Sequence, residues 1–127
     1  MSEQEQFSLI EAAKRGVSGR VFGKLSRQSP LSAADWAGLL GLSPQTLERY
    51  KREGKRFDVV HSDKILQLNL LIKRGAEVFG DPQRFYNWLQ YPNPALGNAI
   101  PLELAVSAFG VNLLLTELGR IEHGIFA

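Results

Sequence analysis

The stretch "SAADWAGLLGLSPQTLERYKREG", residues 32–54, reads as two short helices around a turn too tight for a loop. Ala33, Trp36, Ala37 and Leu40 repeat at helical spacing, with Ser32 placed to cap the first helix. The second has Ser43 as its cap and Pro44 at the first helical position, where the missing N–H costs nothing. Gly54 closes that helix, and only Gly41 and Leu42 are left for the turn. A helix, a glycine-containing turn and a second helix rich in polar and basic side chains form the helix-turn-helix pattern. In such a unit the second helix enters the major groove N-terminus first. Ser43, Gln45 and Thr46 then sit where base edges or phosphates are met, and Arg49 is placed to reach guanine or a phosphate. Lys51, Arg52, Lys55 and Arg56 are expected to contact the phosphate backbone. Leu47 is expected to pin the helix to the core beside Trp36 and Leu40.

Charge along the chain agrees with that assignment. From Lys14 to Arg56 there are ten Lys/Arg against three acids, whereas from Asp81 onward two Arg stand against four acids. The net charge of +2 is too mild to name a partner by itself; the alternative is a solvated basic face. The 127 residues, 44% hydrophobic and 22% charged, suit one compact domain or two small ones. No run approaches the roughly 18–20 apolar residues of a membrane span. The start, "MSEQEQFSLIEAAKRG", lacks the basic-then-apolar order of a secretory signal, and disorder is the default for Met1–Gln6. With no cysteine, disulfides, thiolate metal sites and thiol catalysis are excluded. A cytoplasmic protein is the simplest reading.

Outward from the pair, strand signals are nearly absent and helical periodicity continues. Val17, Val21, Phe22 and Leu25 favour a helix in "GRVFGKLS", whose glycines are one residue too close for a phosphate loop and which lacks the hydroxyl for magnesium. A long helix is predicted from about Asp63 to Phe79 on a broad stripe of Ile65, Leu68, Ile72, Ala76 and Phe79. Asp81 and Pro82 start the next helix, which carries Phe85, Trp88 and Leu89 on one face. After the loop "QYPNPALGNAIP", Pro101 opens a helix carrying Leu102, Ala105, Val106 and Phe109. Beyond Gly110, Val111, Leu114, Leu115, Leu118 and Ile121 form a seam. The fold class is therefore all-α: an N-terminal segment at 1–15, a helix-turn-helix region at 16–62 and a small helical domain at 63–127. His61 and His123 have no second ligand at useful spacing, so no metal, cofactor or catalytic constellation is expected.

The chain closes on "RIEHGIFA", an apolar hook where soluble domains usually fray into polar residues. Ile125, Phe126 and Ala127 either staple the last helix to its own domain or contact another protein.

The second half resembles the toxin-binding domain of the Xre/MbcA/ParS antitoxins. The shared motifs are Ala76, Phe79–Gly80–Asp81, Trp88–Leu89, Pro92–Asn93, Leu96–Gly97, Pro101–Leu102 and Arg120–Ile121 with Gly124. "GLSPQTLERYKREGKRFDVVHSDKILQL" is similar to the Xre-type helix-turn-helix before it, so the likeness runs from about Val17 to Ala127. It departs at "GNAI", where the family often has Gly-Gly or Gly-Arg-Thr. The resemblance implies an antitoxin paired with a RES-domain, NAD-degrading toxin, with operator DNA as a second partner and a homodimer as the DNA-binding form. It further implies that the C-terminal segment reaches the toxin's active-site entrance. Arg120, Glu122, His123, Gly124, Ile125, Phe126 and Ala127 are then the toxin-binding candidates. The rival reading is a helix-turn-helix regulator whose C-terminal helices only dimerise or hold an effector.

Overall fold

The computed structural model describes residues 1–124; the hook residues Ile125, Phe126 and Ala127 lie outside them. The described residues form α1 (Glu3–Arg15), α2 (Gly19–Gln28), α3 (Ala33–Leu40), α4 (Pro44–Glu53), α5 (Val59–Phe79), α6 (Pro82–Leu89), α7 (Pro101–Leu104) and α8 (Ala108–His123). A single 3-10 turn, Pro94–Leu96, lies between α6 and α7. Among these residues there is no strand, only two isolated bridges, Ser18 with Arg56 and Asn93 with Ala99. The all-α expectation holds. The chain divides into two compact units, Met1–Gln67 and the part from Leu68 on.

In the first unit, Ser32 and Asp35 form a reciprocal capping box at the start of α3. Gly41 ends α3 in the left-handed conformation at φ 66°, which only glycine adopts without strain, and so permits the tight turn. The core is aromatic. Phe22 is fully buried and meets Trp36 edge-on at 5.2 Å between centroids and Phe57 at 5.5 Å. The Trp36 indole nitrogen is buried with no hydrogen-bond partner among the described residues. Leu47 is buried, the anchor its spacing predicts.

Two expectations fail here for local reasons. Met1–Gln6 is not disordered: Ser2 and Glu5 cap each other's backbone N–H groups and start α1 at Glu3. The signal, Ser-x-x-Glu, stands in the sequence at Ser2–Glu5. α5 begins at Val59, not near Asp63, because the Asp58 carboxylate accepts the His61 N–H at 2.8 Å. That hydrogen bond, joined by one from the His61 ring at 2.9 Å, holds the Asp58 carboxyl below its usual range.

Ser62, one turn into α5, is completely buried. Its hydroxyl accepts the Val17 N–H at 2.8 Å and donates to the Phe57 carbonyl at 3.2 Å. Ser62→Ala leaves a buried N–H unpaired, and urea unfolding should show a loss of about 1–3 kcal/mol.

The second unit packs Leu68, Leu71, Ile72, Phe85, Leu89, Val111, Leu114 and Leu118 into its core. Asp81 caps α6 by accepting the Gln83 N–H at 3.0 Å, and Pro82 takes the first position. Phe85 lies against Trp88 with centroids 5.9 Å apart and planes at 20°, and Phe79 completes the cluster. The helix expected to run from Pro101 to Phe109 is broken: α7 stops at Leu104, and the Ser107 hydroxyl caps α8 through the Gly110 N–H. Val106 and Phe109, expected along that helix, are 50% and 89% exposed. On α8, Val111, Leu114 and Leu118 are buried as the seam requires, while Leu115 and Ile121 are half-buried.

Candidate functional site

The first candidate surface is the outer face of α4. Its inner face is fixed by Leu47, by Tyr50 lying 4.6 Å from Phe57 between centroids, and by α2 pressed against its backbone. A Cβ on Gly19 would stand 1.8 Å from the Tyr50 carbonyl oxygen, so α2 and α4 touch backbone to backbone there. Gly19 of "GRVFG" therefore serves helix packing, whereas a Cβ at Gly23 would meet only side-chain atoms of Arg27 and Lys51.

With the inner face occupied, Gln45, Arg49 and Arg52 stand exposed on the outer one, four and three residues apart, lining a shallow open depression with Pro44 and Glu48. Ser43 caps α4: its oxygen accepts the Thr46 N–H at 3.1 Å while its hydroxyl donates to the Thr46 Oγ1 at 2.8 Å. The cations differ in freedom. Arg49 lies 5.7 Å from the Tyr50 ring centroid and Lys55 5.2 Å from it. Arg52 has Glu53 at 3.9 Å. Lys51 is paired with Glu48 at 3.1 Å and lies over the Phe22 ring, toward the fold. Arg56 lies beyond the helix, where its Nη1 donates to the Gly16 carbonyl at 2.6 Å. The structure thus lines Gln45, Arg49 and Arg52 along one surface, sets Ser43 and Thr46 against each other at the start of α4, and commits Lys51 and Arg56 partly to holding the fold.

The second candidate surface is the end of α8. Arg120 Nη1 donates to Glu117 at 3.2 Å, and the Glu117 side chain beneath it is only 6% exposed. Glu122 is gripped by both Nη groups of Arg74, the Nη1 contact measuring 2.9 Å, and Arg74 also reaches Glu77 at 3.4 Å. The Arg74 hydrogen bonds hold the Glu122 carboxyl below its usual range. Arg120, Glu122 and His123 are all exposed, but Glu122 is held by Arg74 and Arg120 by Glu117. Gly124 caps α8 at φ 66°. Ile125, Phe126 and Ala127 are outside the described residues. Sequence reasoning missed Arg74 because its partner lies 48 residues away. It also missed the exposure of Phe109, for which Ser107 as a helix cap was the available signal.

Comparison with known proteins covers both units. Residues 8–69 match the antitoxin Xre-like helix-turn-helix domain. Residues 74–124 match the antitoxin Xre/MbcA/ParS C-terminal toxin-binding domain. The antitoxin Xre of Yersinia enterocolitica serotype O:8 / biotype 1B is 24% identical over 120 residues, covering 94% of this chain and 81% of that relative. A chain of the crystal structure of the M. tuberculosis MbcT–MbcA toxin–antitoxin complex has the same fold, with a TM-score of 0.70 at 16% identity over 86% of this chain and 96% of that one. No helix among the described residues is long and apolar enough to cross a membrane. With a helix-turn-helix domain and a toxin-binding domain matched in succession, the chain belongs to the Xre/MbcA/ParS antitoxins, proteins of toxin–antitoxin systems.

Proposed function

We propose that this protein is the cytoplasmic antitoxin of a RES-type, NAD-degrading toxin and represses its own operon. The toxin-binding domain at 74–124, following a helix-turn-helix at 8–69, carries this reading. The second unit binds the toxin, and Ile125–Ala127 fill the entrance of its active site. Inhibition is steric, so the antitoxin needs no catalytic residue, metal or cofactor. The first unit reads operator DNA as a homodimer, since one helix-turn-helix covers a half-site. Gln45 reads a base edge; Arg49 and Arg52 hold phosphates.

Co-expression with the protein of the adjacent reading frame tests the toxin assignment. A RES-domain neighbour that is toxic alone and silenced by this chain supports it; a chain that co-purifies with nothing favours the plain regulator. On the DNA side, affinity for the protein's own upstream DNA should fall steeply with salt. Arg52→Ala should weaken binding to all sequences alike and reduce the salt slope by about one. Gln45→Ala should cost about 1–3 kcal/mol on the cognate site only. A salt-independent affinity would remove phosphate contact from the mechanism.

A further inference from the structure

Phe109, Leu113, Thr116, Arg120 and His123 fall on one side of α8, because steps of four, three, four and three residues keep returning to the same face. All five are exposed, Phe109 at 89%. Val106, just before the helix, adds to the apolar end of this stripe at 50% exposure. The opposite side is fully engaged: Val111, Leu114 and Leu118 are in the core, and Glu122 clasps Arg74. From Ala105 to Thr116 there is no charged residue at all. A helix face meant only for water is normally charged, and an uncharged patch with a bare phenylalanine marks an interaction site.

We infer that this stripe is the surface on which the toxin docks, with Phe109 as its apolar anchor. The inference rests on the antitoxin reading and specifies where the partner sits. The whole stripe lies inside the matched toxin-binding domain, and its far end leads into Gly124 and the hook. At about 1.5 Å per residue it is roughly 21 Å long, within the footprint of one partner burying about 800 Å². Its polarity argues against a second copy as the occupant. Parallel two-fold pairing sets Arg120 against Arg120, and antiparallel pairing sets Phe109 against Arg120 and His123, which offer no apolar pocket to bury it. A different protein with an apolar pocket and an acidic rim satisfies both ends.

The test uses the full chain and the RES-domain protein encoded beside it, with affinity measured by calorimetry. Phe109→Asp should weaken binding by about thirtyfold or more, the range of interface anchors, with the melting temperature unchanged. Thr116→Arg, in the middle of the stripe, should weaken it as well. Val60→Asp, at an exposed apolar residue of the first unit, should bind as the natural chain does. Natural affinity in both stripe variants would overturn the surface and leave the toxin assignment standing. No binding by the natural chain would overturn that assignment and the surface with it. If Phe109→Asp instead lowers the mass of the free protein in light scattering and spares toxin binding, the face belongs to a second copy and the inference fails.

Discussion

Gly19→Ala is expected to disrupt the first unit. The added methyl would lie 1.8 Å from the Tyr50 oxygen and 2.3 Å from its carbonyl carbon. Both are backbone atoms in the last turn of α4, so no rotamer change can yield space; α2 and α4 must part. The displacement also strains the hydrogen bond from the Gly19 N–H to the Lys55 carbonyl, 2.7 Å in length. Overpacking typically costs about 1–3 kcal/mol, and losing a hydrogen bond adds about 0.5–1.5. The expected total of about 3 kcal/mol is a large part of the 5–15 that usually holds a domain. In a unit of this size it should lower the melting temperature by roughly 12–24 °C, as followed by circular dichroism. Gly38→Ala is the control: its methyl meets nothing within 4 Å, and α3 should gain about 0.5–1 kcal/mol. Equal melting of the two variants would refute the backbone contact between α2 and α4.

Deleting Ile125–Ala127 should separate binding from inhibition. Burying Ile125 and Phe126 in a partner contributes about 1.5–3 kcal/mol each, while ordering each tail residue costs about 1–2. These contributions nearly cancel, so the truncated chain should bind the toxin within about tenfold of the natural one. If the tail fills the entrance, NAD consumption by the toxin should nevertheless return at saturating antitoxin, and protection of cells should vanish. The melting temperature, followed by circular dichroism, should equal that of the natural chain; a lower one would mean that the tail staples its own domain. Full inhibition by the truncated chain would take the tail out of the mechanism.

What could be read from the sequence was what is decided locally. Ser32, Ser43, Asp81, Pro44, Pro82, Gly41 and Gly54 mark helix ends because a cap acts over three or four residues, and each stands where its type predicts. The outer face of α4 followed for the same reason: once Leu47 is assigned inward, periodicity places Gln45, Arg49 and Arg52 outward. What could not be read depends on distant partners. Ser62 resembles a cap until Val17 is brought to it from 45 residues away. Arg56 looks like one more phosphate contact until Gly16 takes its guanidinium. Glu122 looks like a free acid at the rim of an interface until Arg74 closes on it. At Phe109 periodicity itself misled, because the spacing runs unbroken through a point where the chain starts a new helix.

The two tryptophans are divided between the units, Trp36 deep in the first and Trp88 half-buried in the ring cluster of the second. An indole shielded from water emits to the blue of a partly wetted one. Intrinsic fluorescence therefore supplies each unit with its own optical reporter. Trp88→Phe isolates the signal of the first unit, and Trp36→Phe that of the second, so the order in which the two melt can be followed without attaching a dye.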